Sequence, residues 1–589
     1  MSVFENHQLI HSVYVKLGPE HDAVVANIKN VDTNESQLFI VRDPMVKVWV
    51  TKPGLRNHSS KKEYADLREL DVYNTKYNEI GRTLAVALDG QKFSGRGNAG
   101  KYGYINTRKY LSSPYVYGAD IDIGVRLKLA FRRQCQKFPT KYNVGTLDIE
   151  SSVLGNNEII LISFINGDGR TYCSIFKPFF RPGEGIEQVK SMFEKRVNKQ
   201  FRDALKPKIQ KLYDEHPLDI TYHESDDEAE VIKWLFDQIH ACKPDFIVIW
   251  NMGYDIPRIL ERCEFLGLDP KNVFCHPDVP KELRYVKYYL DPGKPGDHIV
   301  DHWDWFQCPG YTCFIDAMQL YGRLRKAKGR DVSYRLDYIG AKELGTGKLD
   351  FGQNRTHYDM QTKDFVGYTV YNIVDNAILY LMNWKNNDIK NLLGLIGASR
   401  LEDFSKQTVQ LKNYFFEWLQ PQGKVPASVG EPLDQPYDRY IINKGGAVLD
   451  PLNALGTGVP ILKESDTLSS VQKIVCDEDV KSMYPSLMEM LNCSKETKLS
   501  TVLRIDNSGR LGIINVDEVE GPLDASGTVV PQDWQVFNVE DFFVNSIYAY
   551  ENAVYVEHEF FNLPDYTEMY HLTKDLPKQN NYAELPIVI

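Results

Sequence analysis

Residues 141–385 alternate between strand-like and helix-like segments, and this alternation limits the possible folds more than any other feature of the chain. Tyr142–Glu150 and Glu158–Ile165 have the composition of strands and flank Gly155–Asn156–Asn157, which favours a hairpin turn. Asp226–Ala241 then repeats apolar residues at the spacing of an amphipathic helix. Strands and helices in this order predict an α/β domain built around a sheet.

Further segments of this region extend the same prediction. Phe246–Trp250 is apolar and short enough for a buried strand, and we expect a helix to follow from about Ile256. Residues 187–212 form a Lys/Arg-rich helical pattern, interpreted as a surface insertion. Asp364–Trp384 predicts another helix. The inward residues predicted for the two long helices are Val231, Leu235 and Ile239 in the first, and Val366, Val370, Ile373, Ala377 and Leu381 in the second.

The two ends of the chain differ from this central region. Residues 1–140 predict a mostly β region, and residues 386–440 a mixed connector. Lys473–Val480 predicts a strand that runs into a helix near Ser482–Leu491. The strands predicted in the first region are Val13–Leu17, Ala23–Ile28, Gln37–Val41 and Val46–Thr51. The whole chain is therefore expected to be a multi-domain α/β protein.

Composition places few limits on function but several on cellular context. The 589 residues contain no run of 18 apolar residues, and the amino terminus lacks the pattern of a signal peptide. We therefore expect a cytoplasmic protein with no membrane span. The nine cysteines form no CxxC pair, which favours reduced, mostly buried thiols over a zinc site or a disulfide framework.

The net charge of −11 lies entirely in one part of the sequence. Residues 501–589 contain 15 acidic and 4 basic residues, so the first 500 residues are neutral overall. Proteins that hold nucleic acid usually do so with a basic surface. The acidic segment is thus expected to be a solvated face rather than a surface that contacts DNA.

Asp148 and Glu150 are the first candidates for a functional site. They stand two residues apart in a predicted strand, so both side chains project from the same face of the sheet. Two neighbouring carboxylates repel each other, and a divalent cation such as Mg²⁺ would offset that repulsion. An exposed strand face is the alternative for this pair taken alone.

Three further residues extend the candidate site. Asp255 follows the predicted strand Phe246–Trp250 and stands near the start of a helix, where it could alternatively act as a helix cap. Tyr371 and Asp375 share one helix face, where a phenol could orient a water molecule, or the pair could simply be a buried hydrogen bond. Together the carboxylates could converge on two metal ions, which hold the attacking and leaving oxygens of a phosphodiester.

These segments resemble the exonuclease motifs of family B DNA polymerases, particularly those of tailed bacteriophages. Thr146–Glu150 resembles the first motif, Asn251–Asp255 the second and Tyr371–Asp375 the third. The segments Ser333–Ile339 and Gly347–Leu349 are similar to a part of the phage exonuclease domain. The second motif is one residue shorter than usual between Asn251 and Tyr254, residues that the resemblance assigns to DNA binding.

A second group of motifs resembles the polymerase domain of the same family. Asn443–Lys444–Gly445–Gly446 is similar to a glycine loop that contacts template DNA, although a plain turn is an alternative. The octapeptide from Asp479 to Ser486 resembles motif A and is the most specific match in the chain. The resemblance implies that Asp479 and the Val480 carbonyl bind the polymerase metals. The residues implied to receive the incoming deoxynucleoside triphosphate are Ser482, Met483 and Tyr484.

Two motifs that such a polymerase requires are not found in this sequence. Neither a Lys-x-x-x-Asn-Ser-x-Tyr-Gly helix nor a Tyr-x-Asp-Thr-Asp segment follows motif A. Asp479 alone could not hold two Mg²⁺ ions, so this chain alone is not expected to polymerise. Either the enzyme is split and a second polypeptide supplies fingers, thumb and the rest of the palm, or the chain is a fragment.

The resemblance implies four regions and a set of ligands. The regions are a family B amino-terminal domain (1–140), a ribonuclease H-like 3′–5′ exonuclease domain (141–385), a connector returning to the amino-terminal domain (386–440) and a partial palm with the acidic segment (441–589). The implied ligands are primer-template and single-stranded DNA, deoxynucleoside triphosphates and two Mg²⁺ ions per site, with Mn²⁺ as a substitute. A sliding clamp is expected only through the second polypeptide.

Three functions remain in competition at this point. The leading hypothesis is the amino-terminal subunit of a split replicative DNA polymerase with a proofreading exonuclease. The alternatives are a stand-alone 3′–5′ exonuclease with an inert palm remnant, and a non-catalytic nucleic-acid-binding protein derived from a polymerase. Gly95–Lys101 fits a phosphate-binding loop but is followed by Tyr102 instead of Ser or Thr, which favours a glycine-rich surface loop.

Overall fold

The computed structural model of the chain describes residues 4–18, 21–57, 62–89, 110–293, 297–326, 329–349 and 356–429, and the short strands Thr501–Val502 and Ile587–Val588. The chain divides into two compact units, Met1–Glu431 and Pro432–Ile589. In the second unit the two short strands pair antiparallel. All side-chain contacts described below lie within the first unit.

Strands and helices of the first unit have the following bounds. The strands are β1 His7–Lys16, β2 Asp22–Asn30, β3 Ser36–Arg42, β4 Met45–Thr51, β5 Tyr64–Asp66, β6 Leu70–Lys76, β7 Val116–Tyr117, β8 Val144–Ser151, β9 Ile159–Ile165, β10 Arg170–Phe176, β11 Asp219–Ser225, β12 Phe246–Ile249, β13 Lys287–Tyr289, β14 Trp305–Gln307, β15 Cys313–Asp316 and β16 Lys424–Pro426. The α-helices of five or more residues are Ile80–Asp89, Ile123–Gln134, Ile186–Lys195, Pro207–Glu215, Glu228–Cys242, Met252–Phe265, Pro270–Phe274, Ala317–Arg325, Leu336–Leu344, His357–Lys363, Phe365–Asn386, Asp388–Ile396 and Gln407–Leu419. The protein is thus mixed α/β, as predicted.

A mixed eight-stranded sheet with the order β11-β10-β9-β8-β12-β15-β14-β13 forms the centre of this unit. β8 and β9 pair antiparallel as the predicted hairpin, and Gly155 and Asn157 in the turn have positive φ. β12 lies parallel to β8 on one side and to β15 on the other. Because β8, β12 and β15 run in one direction, their carboxyl ends share one edge of the sheet.

Helices cover both faces of this sheet. Leu147, Ile149 and Ile162 pack with the helices Glu228–Cys242 and Met252–Phe265 on one face. On the other face Ile160 and Ile165 pack with the helix Phe365–Asn386 and with the helical segment 186–215. This three-layer arrangement explains why every residue of β9 is buried, since a strand covered on both sides loses the alternation of apolar and polar residues.

One interpretation of a helical segment is wrong, and another is confirmed but incomplete. Residues 187–212 are helical, but they are not a surface insertion, because Val189, Phe193 and Ile209 are buried in the core against the helix Phe365–Asn386. The predicted apolar stripe of that long helix is buried, and so are all the other residues of its first 18 positions. A helix held between a sheet and a second helical layer has no solvent face.

The helix that carries Asp255 begins earlier than predicted. It starts at Met252 instead of near Ile256, because Asn251 adopts a left-handed conformation (φ 68°) that turns the chain directly from β12 into the helix. Asn is one of the few residues that reach this conformation readily. Pro257 therefore lies inside the helix. The helix predicted at Asp226–Ala241 is confirmed, with Val231, Leu235 and Ile239 buried.

Strands β1 to β7 form two three-stranded sheets and part of a two-stranded one, which confirms the four strands predicted in residues 1–140. That region is less purely β than predicted, since it also contains the helices Ile80–Asp89 and Ile123–Gln134. After the helix Gln407–Leu419, β16 pairs antiparallel with β5. The segment predicted as a mixed connector thus contains two helices and returns the chain to the amino-terminal strands.

Two features of context also follow from the described residues. Of the seven cysteines described, all are free thiols and only Cys242 is not fully buried, as predicted. In the described part of the chain, every helix is too short or too polar to span a lipid bilayer.

Candidate metal centre

Four acidic residues come together where the parallel strands end. Asp148 and Glu150 lie in the last half of β8, and Asp316 is the final residue of β15. Asp255 lies in the first turn of the helix that follows β12. The carboxyl edge of parallel strands is where α/β sheets commonly form their binding sites, because the connections diverge there. The sheet topology therefore explains why residues far apart in sequence meet.

The long helix Phe365–Asn386 contributes a further acidic residue to the site. Asn376 fixes this helix on the sheet, since its Nδ2 donates to the Ser163 carbonyl of β9 at 2.9 Å and to the Thr146 carbonyl of β8 at 3.3 Å. Asp375 is the next residue along the chain and is also buried. The helix thereby brings Asp375 beside the carboxylates of β8.

Asp148, Glu150 and Asp375 form a compact group. One carboxylate oxygen of each lies within 4.8 Å of one oxygen of both others. Asp255 is not part of this group, although its charge acts on Asp148. The structure therefore brings together three of the four predicted carboxylates and holds the fourth nearby. Asp255 does not cap its helix, because Asn251 occupies the cap position.

Neighbouring side chains hold two of the carboxylates. Asn372 Nδ2 donates to Asp148 Oδ2 at 2.6 Å, and the Tyr368 hydroxyl donates to Glu150 Oε2. His357 Nδ1 lies 2.8 Å from the Tyr368 hydroxyl and 3.8 Å from Glu150 Oε2. The sequence reasoning assigned no role to these partners. For Tyr368 and Asn372, the sequence feature that could have identified them is their helical spacing relative to Asp375, which puts all three on one helix face.

Lys348 is the cation of the site. Its Nζ donates to the Tyr371 hydroxyl at 2.7 Å and to Asp375 Oδ2. The predicted Tyr371 and Asp375 pair thus shares a pocket, and an ammonium group joins the two side chains. Lys348 lies in the segment Gly347–Leu349 but was not predicted as a site residue, since no local pattern connects it to Tyr371 and Asp375, which are 23 and 27 residues away.

Burial makes the carboxylates of β8 hard to ionise. It raises the pKa of Asp148 well above its usual value, and the charges of Asp255, Asp375 and Glu150 add to that effect. Burial also raises the pKa of Glu150 to about 8, against the opposing hydrogen bond from Tyr368. Without a metal ion, Asp148 and Glu150 therefore favour their protonated forms near neutral pH.

Burial also raises the pKa values of the other carboxylates, and their neighbours add to this effect or oppose it. Burial raises the pKa of Asp375 to about 6, and the Lys348 ammonium opposes the increase. The pKa of Asp255 is raised well above its usual value by burial, with the charges of Glu150 and Asp316 adding to it. Burial raises the pKa of Asp316 to about 7, while backbone N–H groups of Gln319 and Met252 stabilise its charged form.

The donor set fits a divalent metal ion such as Mg²⁺. Asp255 Oδ2 and Asp375 Oδ1 are buried and have no hydrogen-bond partner among the described residues. An unpartnered buried carboxylate oxygen is costly, and a cation would satisfy it. Hard oxygen ligands in this number suit Mg²⁺ or Mn²⁺. Asp148, Glu150, Asp255 and Asp375 are the residues that could hold such ions.

This arrangement predicts a pH-dependent stabilisation by Mg²⁺. Groups whose pKa is raised on folding stabilise the protein below about pH 4, and this stabilisation is lost as the pH rises through about 6 for Asp375 and about 8 for Glu150. In EDTA, the melting temperature is expected to fall between pH 5 and pH 8. Mg²⁺ should restore it at pH 8 and have little effect at pH 5, as measured by calorimetry.

The control for this measurement is the variant Asp148→Asn with Glu150→Gln, which keeps the side-chain shapes and removes two titrating groups. Its melting temperature in EDTA should depend less on pH, and Mg²⁺ should raise it less at pH 8. An Mg²⁺ effect of the same size in the variant and the wild type would contradict the assignment.

Two of the residues predicted to contact DNA, Asn251 and Tyr254, lie at the rim of the site. Tyr254 is 45% exposed and its hydroxyl lies 2.7 Å from Ser151 Oγ at the end of β8, while Arg258 lies against its ring. Asn251 is exposed. The predicted residues that lie outside the described part of the chain are Lys444, Gly445, Gly446, Asp479, Val480, Ser482, Met483 and Tyr484, and the loop Gly95–Lys101 also lies outside it.

Two comparisons with known proteins identify no relative of this chain. The chain matches no protein-family model, and a search of curated proteins finds no significant match.

Proposed function

We propose that the first unit of this protein is a metal-dependent 3′–5′ exodeoxyribonuclease. The observation that carries the proposal is the convergence of Asp148, Glu150 and Asp375 within 4.8 Å at the carboxyl edge of the sheet. The unpartnered oxygens of Asp255 and Asp375 support it, because they leave ligand positions for a cation. Divalent metal at such a site supplies a nucleophilic water at neutral pH and charge for the leaving oxygen.

We further propose that this exonuclease domain is ribonuclease H-like, as the family resemblance implied. The order of five central strands supports this proposal. Antiparallel β10, β9 and β8 are followed by β12 and β15, which run parallel to β8. The acidic residues lie on β8, after β12 and on the helix packed across the sheet. This arrangement suits a site that binds one end of a DNA strand.

Each remaining side chain has a role that its contacts support. Asn372 and Tyr368 hold Asp148 and Glu150 by donating hydrogen bonds to them, so the carboxylates keep one orientation. Lys348 fixes the Tyr371 phenol beside Asp375. In the proposed reaction that phenol orients the attacking water, and Tyr254 at the rim contacts a base of the DNA strand.

The proposed activity is tested with the purified chain and two single-stranded DNA substrates in Mg²⁺. A substrate labelled at its 5′ end should shorten one nucleotide at a time, and an oligonucleotide with a blocked 3′ end should persist. The expected products are deoxynucleoside 5′-monophosphates. Internal cleavage, or equal loss of the blocked substrate, would contradict a 3′–5′ exonuclease.

We also propose that the protein is the amino-terminal subunit of a split family B DNA polymerase. The motif A octapeptide beginning at Asp479 carries this proposal, which depends on the sequence alone. Polymerisation requires the motif B helix and the second acidic motif, and this sequence contains neither. The proposal assigns them to a second polypeptide, and a longer form of the same chain is the alternative source. The alternative is a stand-alone exonuclease with an inert palm remnant.

Primer extension distinguishes these two functions. Mixed with a candidate carboxyl-terminal polypeptide encoded beside it, this chain should extend a DNA primer, and Asp479→Ala should abolish extension because a metal ligand is lost. Asp477→Ala is the matched control, since it removes a neighbouring acid of the same kind and should leave most activity. Extension that survives Asp479→Ala, or exonuclease activity without extension by any mixture, would favour the alternative.

A further inference from the structure

A cavity of about 550 Å³ lies between the amino-terminal strands and the far edge of the eight-stranded sheet. Tyr14 of β1 lines it on one side, and Tyr289 of β13 and Gln307 of β14 line it on another. None of its lining residues belongs to the carboxylate site described above. Its volume lies within the range of about 300–1,000 Å³ that is usual for small-ligand pockets.

One wall of this cavity presents an amide held by two phenols. The hydroxyls of Tyr285 and Tyr289 both donate to Gln307 Oε1, at 3.0 and 3.1 Å. Tyr285 also approaches the Tyr14 carbonyl at 3.2 Å. Because the single hydroxyl proton of Tyr285 serves either Gln307 Oε1 or the Tyr14 carbonyl, Gln307 Oε1 accepts from Tyr289 and shares the Tyr285 donor, and no described residue accepts from Gln307 Nε2. The wall therefore offers aromatic surface and a fixed, available N–H donor.

Another part of the lining presents an acceptor. Glu402 Oε1 accepts from Arg400 at 2.9 Å, which fixes the carboxylate in the wall of the cavity. Arg400 itself is held by Asp122 at 3.2 Å and by Asp403 at 2.8 Å. The cavity thus combines a donor, an acceptor and tyrosine rings.

The lining contains three basic and three acidic side chains, and this balance does not favour a phosphate. Arg284 donates to the carbonyls of Val279 and Pro277 and to Asn272 Oδ1, and Arg400 is paired with three carboxylates. Both guanidinium groups are therefore already engaged. The acidic residues of the lining are Asp122, Glu282 and Glu402, and they balance the charges of Lys16 and the two arginines, so the lining has no net positive charge to attract an anion.

We propose that this cavity binds an uncharged nucleobase, either in a free nucleoside or in a single DNA strand. A nucleobase is planar and stacks on tyrosine rings. Its ring nitrogens or carbonyl oxygens accept from Gln307 Nε2, and its exocyclic amino group donates to Glu402. This binding site is independent of the exonuclease proposed above.

The test uses the full chain in EDTA and the fluorescent nucleoside 2-aminopurine 2′-deoxyriboside. The wild type should quench its fluorescence, and Tyr289→Ala should weaken binding about tenfold, as expected for losing one base–aromatic stack. Tyr289→Phe should bind more tightly than Tyr289→Ala, because it keeps the ring. The matched control is Tyr338→Ala, since Tyr338 is 39% exposed like Tyr289 but lies outside the cavity.

Gln307→Glu provides a second variant, because it keeps the side-chain shape and replaces the N–H donor by an acceptor. It should also weaken binding. The 5′-monophosphate of the same nucleoside should bind no more tightly than the nucleoside, since the acidic and basic side chains of the lining balance. A monophosphate that binds more tightly, or binding unaffected by Tyr289→Ala and Gln307→Glu, would overturn the proposal.

The source of the base is distinguished with an oligodeoxynucleotide that contains one 2-aminopurine. If the oligonucleotide is quenched and Tyr289→Ala removes that quenching, the ligand is a base in a DNA strand. If Tyr289→Ala affects only the free nucleoside, the ligand is a nucleoside. The oligonucleotide is also measured with the Asp148→Ala, Glu150→Ala variant, so that contacts at the carboxylate site do not contribute. Sensitivity to Tyr289→Ala with neither probe would overturn the proposal.

Discussion

The variant Asp148→Ala with Glu150→Ala is expected to lower Mg²⁺-dependent hydrolysis of single-stranded DNA by at least about a thousandfold. It removes two of the three carboxylates that lie within 4.8 Å of one another. Divalent metal contributes several kcal/mol to lowering the barrier of such a reaction, and about 1.4 kcal/mol corresponds to a tenfold change in rate. The measurement is the initial rate of nucleotide release.

Folding of this variant is not expected to fail, because the two carboxylates are destabilised by burial and by each other in the absence of metal. Its melting temperature in EDTA at pH 8 should equal or exceed that of the wild type. Asp237→Ala is the control for acid removal, since Asp237 is exposed on the helix Glu228–Cys242. Hydrolysis by the double variant at a rate near that of the wild type would show that the reaction occurs elsewhere.

Asp245→Ala is expected to reduce the free energy of unfolding by about 3–5 kcal/mol. Asp245 is fully buried beside β12, and its carboxylate accepts from Lys29 Nζ at 2.6 Å, Ser36 Oγ at 2.6 Å and Asn27 Nδ2 at 3.1 Å. It also accepts from the backbone N–H of Asn143 at 2.8 Å. Its removal leaves a buried ammonium without a counter-charge, which is the costly step.

Chemical denaturation of the wild type and the variant measures this loss. Glu187→Ala is the matched contrast, because Glu187 and Lys190 form an exposed ion pair at 2.7 Å that should contribute less than about 1 kcal/mol. A loss below about 1 kcal/mol for Asp245→Ala would contradict the view that this group joins the amino-terminal strands to the large sheet.

The parts of the fold that depend on local sequence were predictable. The β8–β9 hairpin follows from Gly155 and Asn157, which adopt the positive φ angles that its turn requires. Asp148 and Glu150 could be assigned together because their two-residue spacing fixes their common face. The parts that failed depend on what packs against an element. Residues 187–212 have a charged composition, but their helices bury one side against the helix Phe365–Asn386.

The site shows the same limit at the level of single residues. Asp255 was assigned although its motif is one residue short, and the early helix start at Met252 accounts for its position near β8. Lys348 was missed because its contact with Asp375 is purely tertiary. Tyr368 and Asn372 lie at helical spacing from Asp375, so the sequence places them on the same helix face. A long helix that is buried on all sides has no polar face, however, and its sequence therefore does not distinguish site residues from core residues.

Binding of Mn²⁺, counted by titration at pH 8 in the absence of DNA, tests the central claim that these carboxylates form a metal centre. The wild type is expected to bind about two Mn²⁺ ions per chain in competition with Mg²⁺. The Asp148→Ala, Glu150→Ala variant should lose this binding, and Asp237→Ala should retain it. No Mn²⁺ binding by the wild type, or the same binding by the double variant, would contradict the assignment of the site.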